Sequence, residues 1–109
     1  MKFSVIIPAF NERLNIQRTL RSLRGSSDPS RMEIIVVDGG SQDNTVDLAR
    51  KFADKVHVFG KPNRGAQLHC GAQMATGDLL FFLHADIVPP DLWQVHLGKF
   101  WSSSQGSAS

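Results

Sequence analysis

Phe3-Ser4-Val5-Ile6-Ile7-Pro8 and Glu33-Ile34-Ile35-Val36-Val37-Asp38 are the two stretches that decide the fold. Each is a short run rich in β-branched residues, apolar at consecutive rather than alternate positions. Such runs predict strands buried on both faces. Leu79 to Leu83 (LLFFL) predicts another, and Val56 to Phe59 (VHVF) a shorter one. Helical signals lie between them. Asn11 can cap a helix to about Arg24, with Leu14, Leu20 and Leu23 on its inner face and Gly25 as its stop. Asp43 or Asn44 can cap a second helix to about Ala53, with Val46, Ala49 and Phe52 facing in. A third spans about Ala66 to Thr76 and closes at Gly77, and a last one starts near Asp91, after Pro89 and Pro90. Buried strands alternating with helices predict an α/β fold: an open, mostly parallel sheet with helices on both faces, wound by right-handed crossovers.

Length and composition bound this reading. The 109 residues make one ordinary domain, and a hydrophobic share of 41% can build a core. Residues 1–100 are expected to form the domain, and 101–109, ending in SSSQGSAS, a flexible tail. A net charge of +2 is no nucleic-acid signature. Arg18, Arg21 and Arg24 recur at helical spacing, either as a solvated helix face or as a contact for an anionic membrane surface. Cys70 is the single cysteine, so no internal disulfide forms, which suits a reducing compartment. It is expected to be small, buried and inert. The longest apolar run is far below a membrane span. The expected setting is cytoplasmic, with peripheral association at the inner face of the membrane as a variant.

The polar residues converge on one edge. Asn11 and Glu12 follow the first strand, Asp38, Ser41 and Asp43 the second, and His84 and Asp86 the fourth. In an open α/β sheet, ligands bind at the carboxyl ends of the strands, where strand order reverses. The glycine-rich phosphate loops G-x-x-x-x-G-K-[ST] and G-x-G-x-x-G are both absent. A diphosphate could instead be held through a divalent cation, since hard cations take oxygen ligands. Asp86 is the best carboxylate for that. Local alternatives stand beside these roles: Asp38 as a turn cap, Asp43 as a helix cap, and Glu12 as a first-turn helix residue.

The runs SVIIPAFNE (4–12), IIVVDGGSQDNT (34–45) and NRGAQLHCGAQMATGDLLFFLHAD (63–86) resemble the nucleotide-sugar half of family-2 glycosyltransferases with the GT-A fold. The FLHAD ending is similar to one bacterial subgroup, and the resemblance covers about residues 3 to 92. It implies nucleotide-sugar contacts from Pro8, Ala9, Phe10, Asn11, Glu12, Asp38, Gly39, Arg64, His84, Ala85 and Asp86. Pro8 to Asn11 would wall the base pocket, with Phe10 stacking on the base. Asp38 would accept a hydrogen bond from the base, and Arg64 would approach the base or phosphates. His84-Ala85-Asp86 falls at the family's D-x-D-like motif, so Asp86 would coordinate Mg²⁺ or Mn²⁺ bridging the diphosphate. His84 stands in place of the first carboxylate. The implied activity is inverting transfer of a hexose from a nucleoside-diphosphate sugar. Nothing after Asp91 resembles the acceptor half with its general base. The alternative expectation is therefore a shortened, non-catalytic nucleotide-sugar-binding module that needs a second half or partner. A sheet cut short would also expose an edge for homo-oligomer formation.

Overall fold

The structure, a computed structural model, describes residues 2–25 and 31–85. The expected helix near Asp91, the tail 101–109, and Asp86 itself lie outside the described residues.

Among the described residues, four strands form one sheet: β1 (Phe3–Ala9), β2 (Met32–Asp38), β3 (Lys55–Val58) and β4 (Leu79–Phe82). Three helices alternate with them: α1 (Ile16–Gly25), α2 (Thr45–Arg50) and α3 (Arg64–Met74). The strand order is β3-β2-β1-β4, and every pair is parallel. The chain therefore winds outward from β1 to β3, then returns through α3 to place β4 on the other side of β1. Strand order reverses between β1 and β4.

Consecutive apolar residues make β1 and β2 central because each face needs a cover. Phe3, Val5, Ile7, Ile34 and Val36 pack with Ile16, Leu20, Leu23 and Ala49 beneath α1 and α2. Ile6, Ile35 and Val37 pack with Leu68, Ala72 and Met74 beneath α3. Gly71 lets α3 approach closely: a Cβ there would lie 2.4 Å from Ile6 Cγ2.

The parallel sheet and its two-sided cover are as expected, but several local boundaries differ. α1 begins at Ile16, not after Asn11, because residues 12–15 form a turn in which Glu12 O accepts from the amides of Asn15 and Ile16. Leu14 thus leaves the helical stripe and is 79% exposed, while Ile16 and Thr19 join Leu20 and Leu23 on the buried face. α2 ends at Arg50 rather than Ala53. Cys70 is half-buried, not buried. The outer strands are less covered than their composition suggested: Val58 and Phe82 are about half exposed. Arg21 and Arg24 serve the fold. Arg21 lies over the Phe52 ring at 5.7 Å, and Arg24 pairs with Asp54 at 2.8 Å. Among the described residues, no helix is long and apolar enough to cross a membrane.

Candidate functional site

The register makes a notch. β1 pairs with β2 to its last residue, Ala9 opposite Asp38, but with β4 only as far as Ile6 opposite Phe82. Ile7 to Ala9 therefore run on beyond β4 at the point where strand order reverses. Two adjoining hollows open there. One, about 300 Å³, is lined by Pro8, Ala9, Phe10, Glu12, Pro62, Arg64 and Gln67. The other, about 80 Å³ and mostly apolar, is lined by Pro8, Arg64, Leu68, Phe82, Leu83 and His84. They share Pro8 and Arg64 and form one cleft.

Loop residues hold the cleft open through hydrogen bonds to each other. Asn11 adopts a left-handed backbone, φ 52°, which asparagine tolerates better than most residues. In that pose its amide donates to Ser41 Oγ at 2.8 Å and its Oδ1 accepts from the Gln42 amide at 2.9 Å. The Glu12 amide donates to Thr45 Oγ1 at 2.8 Å. The loops after β1 and β2 are thereby fixed to one another. Phe10, between wall and solvent, keeps 42% of its surface exposed.

Asp38 is fully buried. Its Oδ2 accepts from the amides of Gly40 and Ser41 at 2.9 and 2.7 Å, and its Oδ1 accepts from the Ser41 hydroxyl. Its carboxylate is thus directed into the turn, the local alternative for an aspartate here. Gly39 is buried beside it. A Cβ at that position would lie 2.9 Å from Pro62 Cα and 3.1 Å from Lys61 O, so the loop that carries Arg64 closes against a bare backbone. Asp43 stands one residue before Asn44, the N-cap of α2, and its Oδ1 accepts from the Thr45 amide at 2.9 Å and from the Thr45 hydroxyl. The hydrogen bond from the Thr45 hydroxyl, with those from the Thr45 and Arg13 amides, lowers its pKa below the ordinary carboxylate value.

Arg64 is the first residue of α3. A cation there faces the positive end of the helix dipole, an unfavourable place for stability. Among the described residues its guanidinium has no hydrogen-bond or ion-pair partner. It lines both hollows, so the cleft presents a free positive charge. His84 is exposed at the far wall, while Ala85 is buried with its carbonyl held by Thr19 Oγ1 at 2.6 Å. The structure thus brings Pro8, Ala9, Phe10, Glu12, Arg64 and His84 around one cleft. Asn11, Asp38 and Gly39 lie in the supporting loops, and Asp86 follows directly on the pinned Ala85.

Two supporting residues are not among the candidates that strand-end position marks. Gln67 and Thr19 are polar side chains on helix faces that otherwise bury apolar groups. A polar residue on such a stripe is the signal that marks them, because it must find a partner inside.

The family profile described as Glycosyl transferase family 2 matches residues 4–102. Glycosyltransferase AglE of Haloferax volcanii is 36% identical over 97 residues, 83% of this chain and 32% of that protein. Among solved structures, S. aureus TarS 1–349 in complex with UDP has a TM-score of 0.81 at 25% identity, over 96% of this chain and 33% of that one. Glucosyl-3-phosphoglycerate synthase from Mycobacterium tuberculosis, in complex with Mn²⁺, UDP and glucosyl-3-phosphoglycerate, has a TM-score of 0.71 at 31% identity, over 84% of this chain and 36% of that one. The chain spans about a third of the length of these relatives.

Proposed function

The chain belongs to glycosyl transferase family 2, and from that membership we propose that its cleft binds the nucleotide portion of a nucleoside-diphosphate sugar for inverting transfer of a hexose. The observation that carries this reading is Arg64: a cation without a partner among the described residues, placed against its helix dipole, in the cleft where strand order reverses. That placement costs stability unless an anion completes it, and a diphosphate is such an anion.

Each wall then has a role. Phe10 offers an exposed ring face for the base, and Pro8 and Ala9 form the side of the slot. Arg64 donates to diphosphate oxygens. Asp38 and Gly39 act from behind, the first by shaping the 39–41 turn, the second by leaving room for Pro62. Asn11 and Glu12 hold the two loops together through their hydrogen bonds.

A divalent cation would be held at the end of β4 by the Asp86 carboxylate, with His84 two positions before it. Among the described residues no group of three or more His, Cys, Asp or Glu side chains could hold a metal. An oxygen donor of this kind suits Mg²⁺ or Mn²⁺. Such an ion would neutralise charge on the departing nucleoside diphosphate. In the transfer, an acceptor hydroxyl loses its proton to a carboxylate base as its oxygen bonds to the anomeric carbon. The bond from that carbon to the diphosphate breaks, and its electron pair leaves with the phosphate oxygen. The acceptor and the base belong to parts of the enzyme beyond this cleft.

Thermal unfolding with UDP, GDP and their sugars, with and without Mn²⁺, tests the reading. A nucleotide at about 100 times its dissociation constant adds roughly 2.7 kcal/mol. We expect a Mn²⁺-dependent rise in Tm that is lost in Asp86→Ala. A cooperative transition that no nucleotide moves would sink the donor-site assignment.

A further inference from the structure

Gln67 is buried, 3% exposed, yet lines the cleft. Its Nε2 donates to two backbone carbonyls, Ala9 at 3.1 Å and Val37 at 2.7 Å, at the ends of adjacent strands. Its Oε1 accepts from the Asn63 amide at 2.9 Å. The orientation of the side-chain amide is fixed by chemistry, because carbonyls only accept and the Asn63 N–H only donates. One side chain therefore joins β1, β2 and the loop that launches α3. Asn63 in turn caps α3, its Oδ1 accepting from the Ala66 amide at 3.0 Å. Arg64 is the next residue and lies one helical turn before Gln67.

The surroundings are arranged for this clamp. Ala9 O also accepts from the Gly39 amide at 2.8 Å, so the strand ends are already drawn together. A side chain at position 39 would press on Gln67 Oε1, its Cβ at 3.2 Å. If Gln67 served packing alone, an apolar residue on this buried stripe would do as well. Its three hydrogen bonds instead set where Asn63 and Arg64 stand relative to the end of β1, the wall against which a base would lie.

We propose that Gln67 is a positioning residue for nucleoside-diphosphate binding: it fixes the start of α3 so that the Arg64 guanidinium faces the diphosphate while Pro8 to Phe10 hold the base. This rests on the donor-site reading above. Gln67→Met keeps the shape and removes all three hydrogen bonds. By titration calorimetry with UDP and Mn²⁺, it should weaken binding about tenfold. The decisive readout is a double-mutant cycle with Arg64→Met. If Gln67 acts by placing Arg64, removal of Arg64 costs about tenfold in the parent chain and little in the Gln67→Met background. A packing role alone leaves the two losses multiplicative. Gln67→Glu is the second variant, and it serves if the methionine does not fold. Its ionised carboxylate would face two carbonyls, whereas the protonated form can donate to one of them. Its UDP affinity, taken relative to the parent at each pH, should recover as pH falls. Unchanged binding in Gln67→Met, multiplicative losses in the cycle, or a flat relative profile for Gln67→Glu each overturn the proposal. Absence of UDP and GDP binding in the parent chain overturns the donor-site reading instead, and the positioning role with it.

Discussion

The two ends of the sheet are built from similar residues and left in opposite states. At the amino end of the strands, the buried Glu33 carboxylate accepts from Ser4 Oγ at 2.9 Å, the Thr76 amide at 2.9 Å and Thr76 Oγ1 at 3.2 Å, and pairs with Lys55 at 3.0 Å. Lys55 also donates to Met74 O at 2.8 Å, which closes the last turn of α3. At the carboxyl end, Asp38 and Gln67 are just as fully engaged, but Arg64 beside them has no partner among the described residues. Among the described residues, the amino end pairs Glu33 with Lys55 and fixes the end of α3, while the carboxyl end leaves Arg64 over in a cleft. The contrast separates a polar cluster that stabilises from one that, on the function proposed above, waits for a ligand.

The largest effect should come from opening the closed end. Glu33→Ala leaves Ser4 Oγ and the Thr76 amide without their charged acceptor and takes the ion-pair partner from Lys55, which is 36% exposed and still donates to Met74 O, so we expect a loss of about 3 kcal/mol. Chemical denaturation measures it. A loss below about 1 kcal/mol would show that water replaces the carboxylate freely. The same network predicts acid sensitivity. Burial pushes the Glu33 carboxyl up, but hydrogen bonds from Thr76, Lys55 and Ser4 and the charge of Lys55 outweigh it, and its pKa falls from 4.5 to about 2. The folded value lies below the unfolded one. Its contribution, about 3 kcal/mol, is therefore present above pH 4.5 and is lost as pH falls toward 2. Glu33→Gln should remove this component from the curve of stability against pH.

Next in size is Gly77→Ala, at the same end. The new Cβ would lie 2.5 Å from Ser4 Oγ and 2.8 Å from the Ser4 amide nitrogen, so backbone must move and the hydrogen bond from the Gly77 amide to Ser4 Oγ is strained. We expect a loss of about 2 kcal/mol, with UDP affinity changed less than about twofold because the cleft is at the opposite end. Arg64→Met inverts the pattern. Stability should stay within about 0.5 kcal/mol, since no partner among the described residues is lost, while UDP binding weakens about tenfold. Equal binding by Arg64→Met would leave the free cation unexplained and break the contrast between the ends.

How far the sequence shows each end follows from the range of the interactions. The strands are legible because a doubly buried strand must be apolar at every position, as Val5 to Ile7 and Ile34 to Val37 are. The start of α1 is not. Asn11 looks like a helix cap locally, but its left-handed backbone is held by Ser41 and Gln42, about thirty residues away. Leu14, counted as core on that false start, is exposed. The cleft's location was legible from residue types at strand ends. The division of labour within it was not, because whether Asp38 faces a ligand or its own turn depends on backbone angles at 39–41. The Glu33–Lys55 pair is not legible either: both residues look like ordinary strand-end charges until parallel pairing brings their strands side by side.

The smallest predicted effect tells burial apart from location. Arg24 and Asp54 also lie near the amino end, where Asp54 Oδ2 accepts from the Ile34 amide at 2.7 Å and Arg24 Nε donates to Phe52 O at 2.8 Å. Their pair, at 2.8 Å, resembles Glu33–Lys55 in length, but the Asp54 side chain is 43% exposed against 7% for Glu33. Water and salt screen such a pair, and exposed ion pairs contribute about 0.5 kcal/mol. Arg24→Met should therefore cost about that much, and the difference from the parent should shrink as salt is raised toward 1 M. The loss from Glu33→Ala should respond less to salt, because the buried carboxylate also accepts from the neutral Ser4 and Thr76 donors. If both variants respond alike, the amino end is no closed network but a set of surface charges. The distinction between a satisfied end and a waiting one would then rest on Arg64 alone.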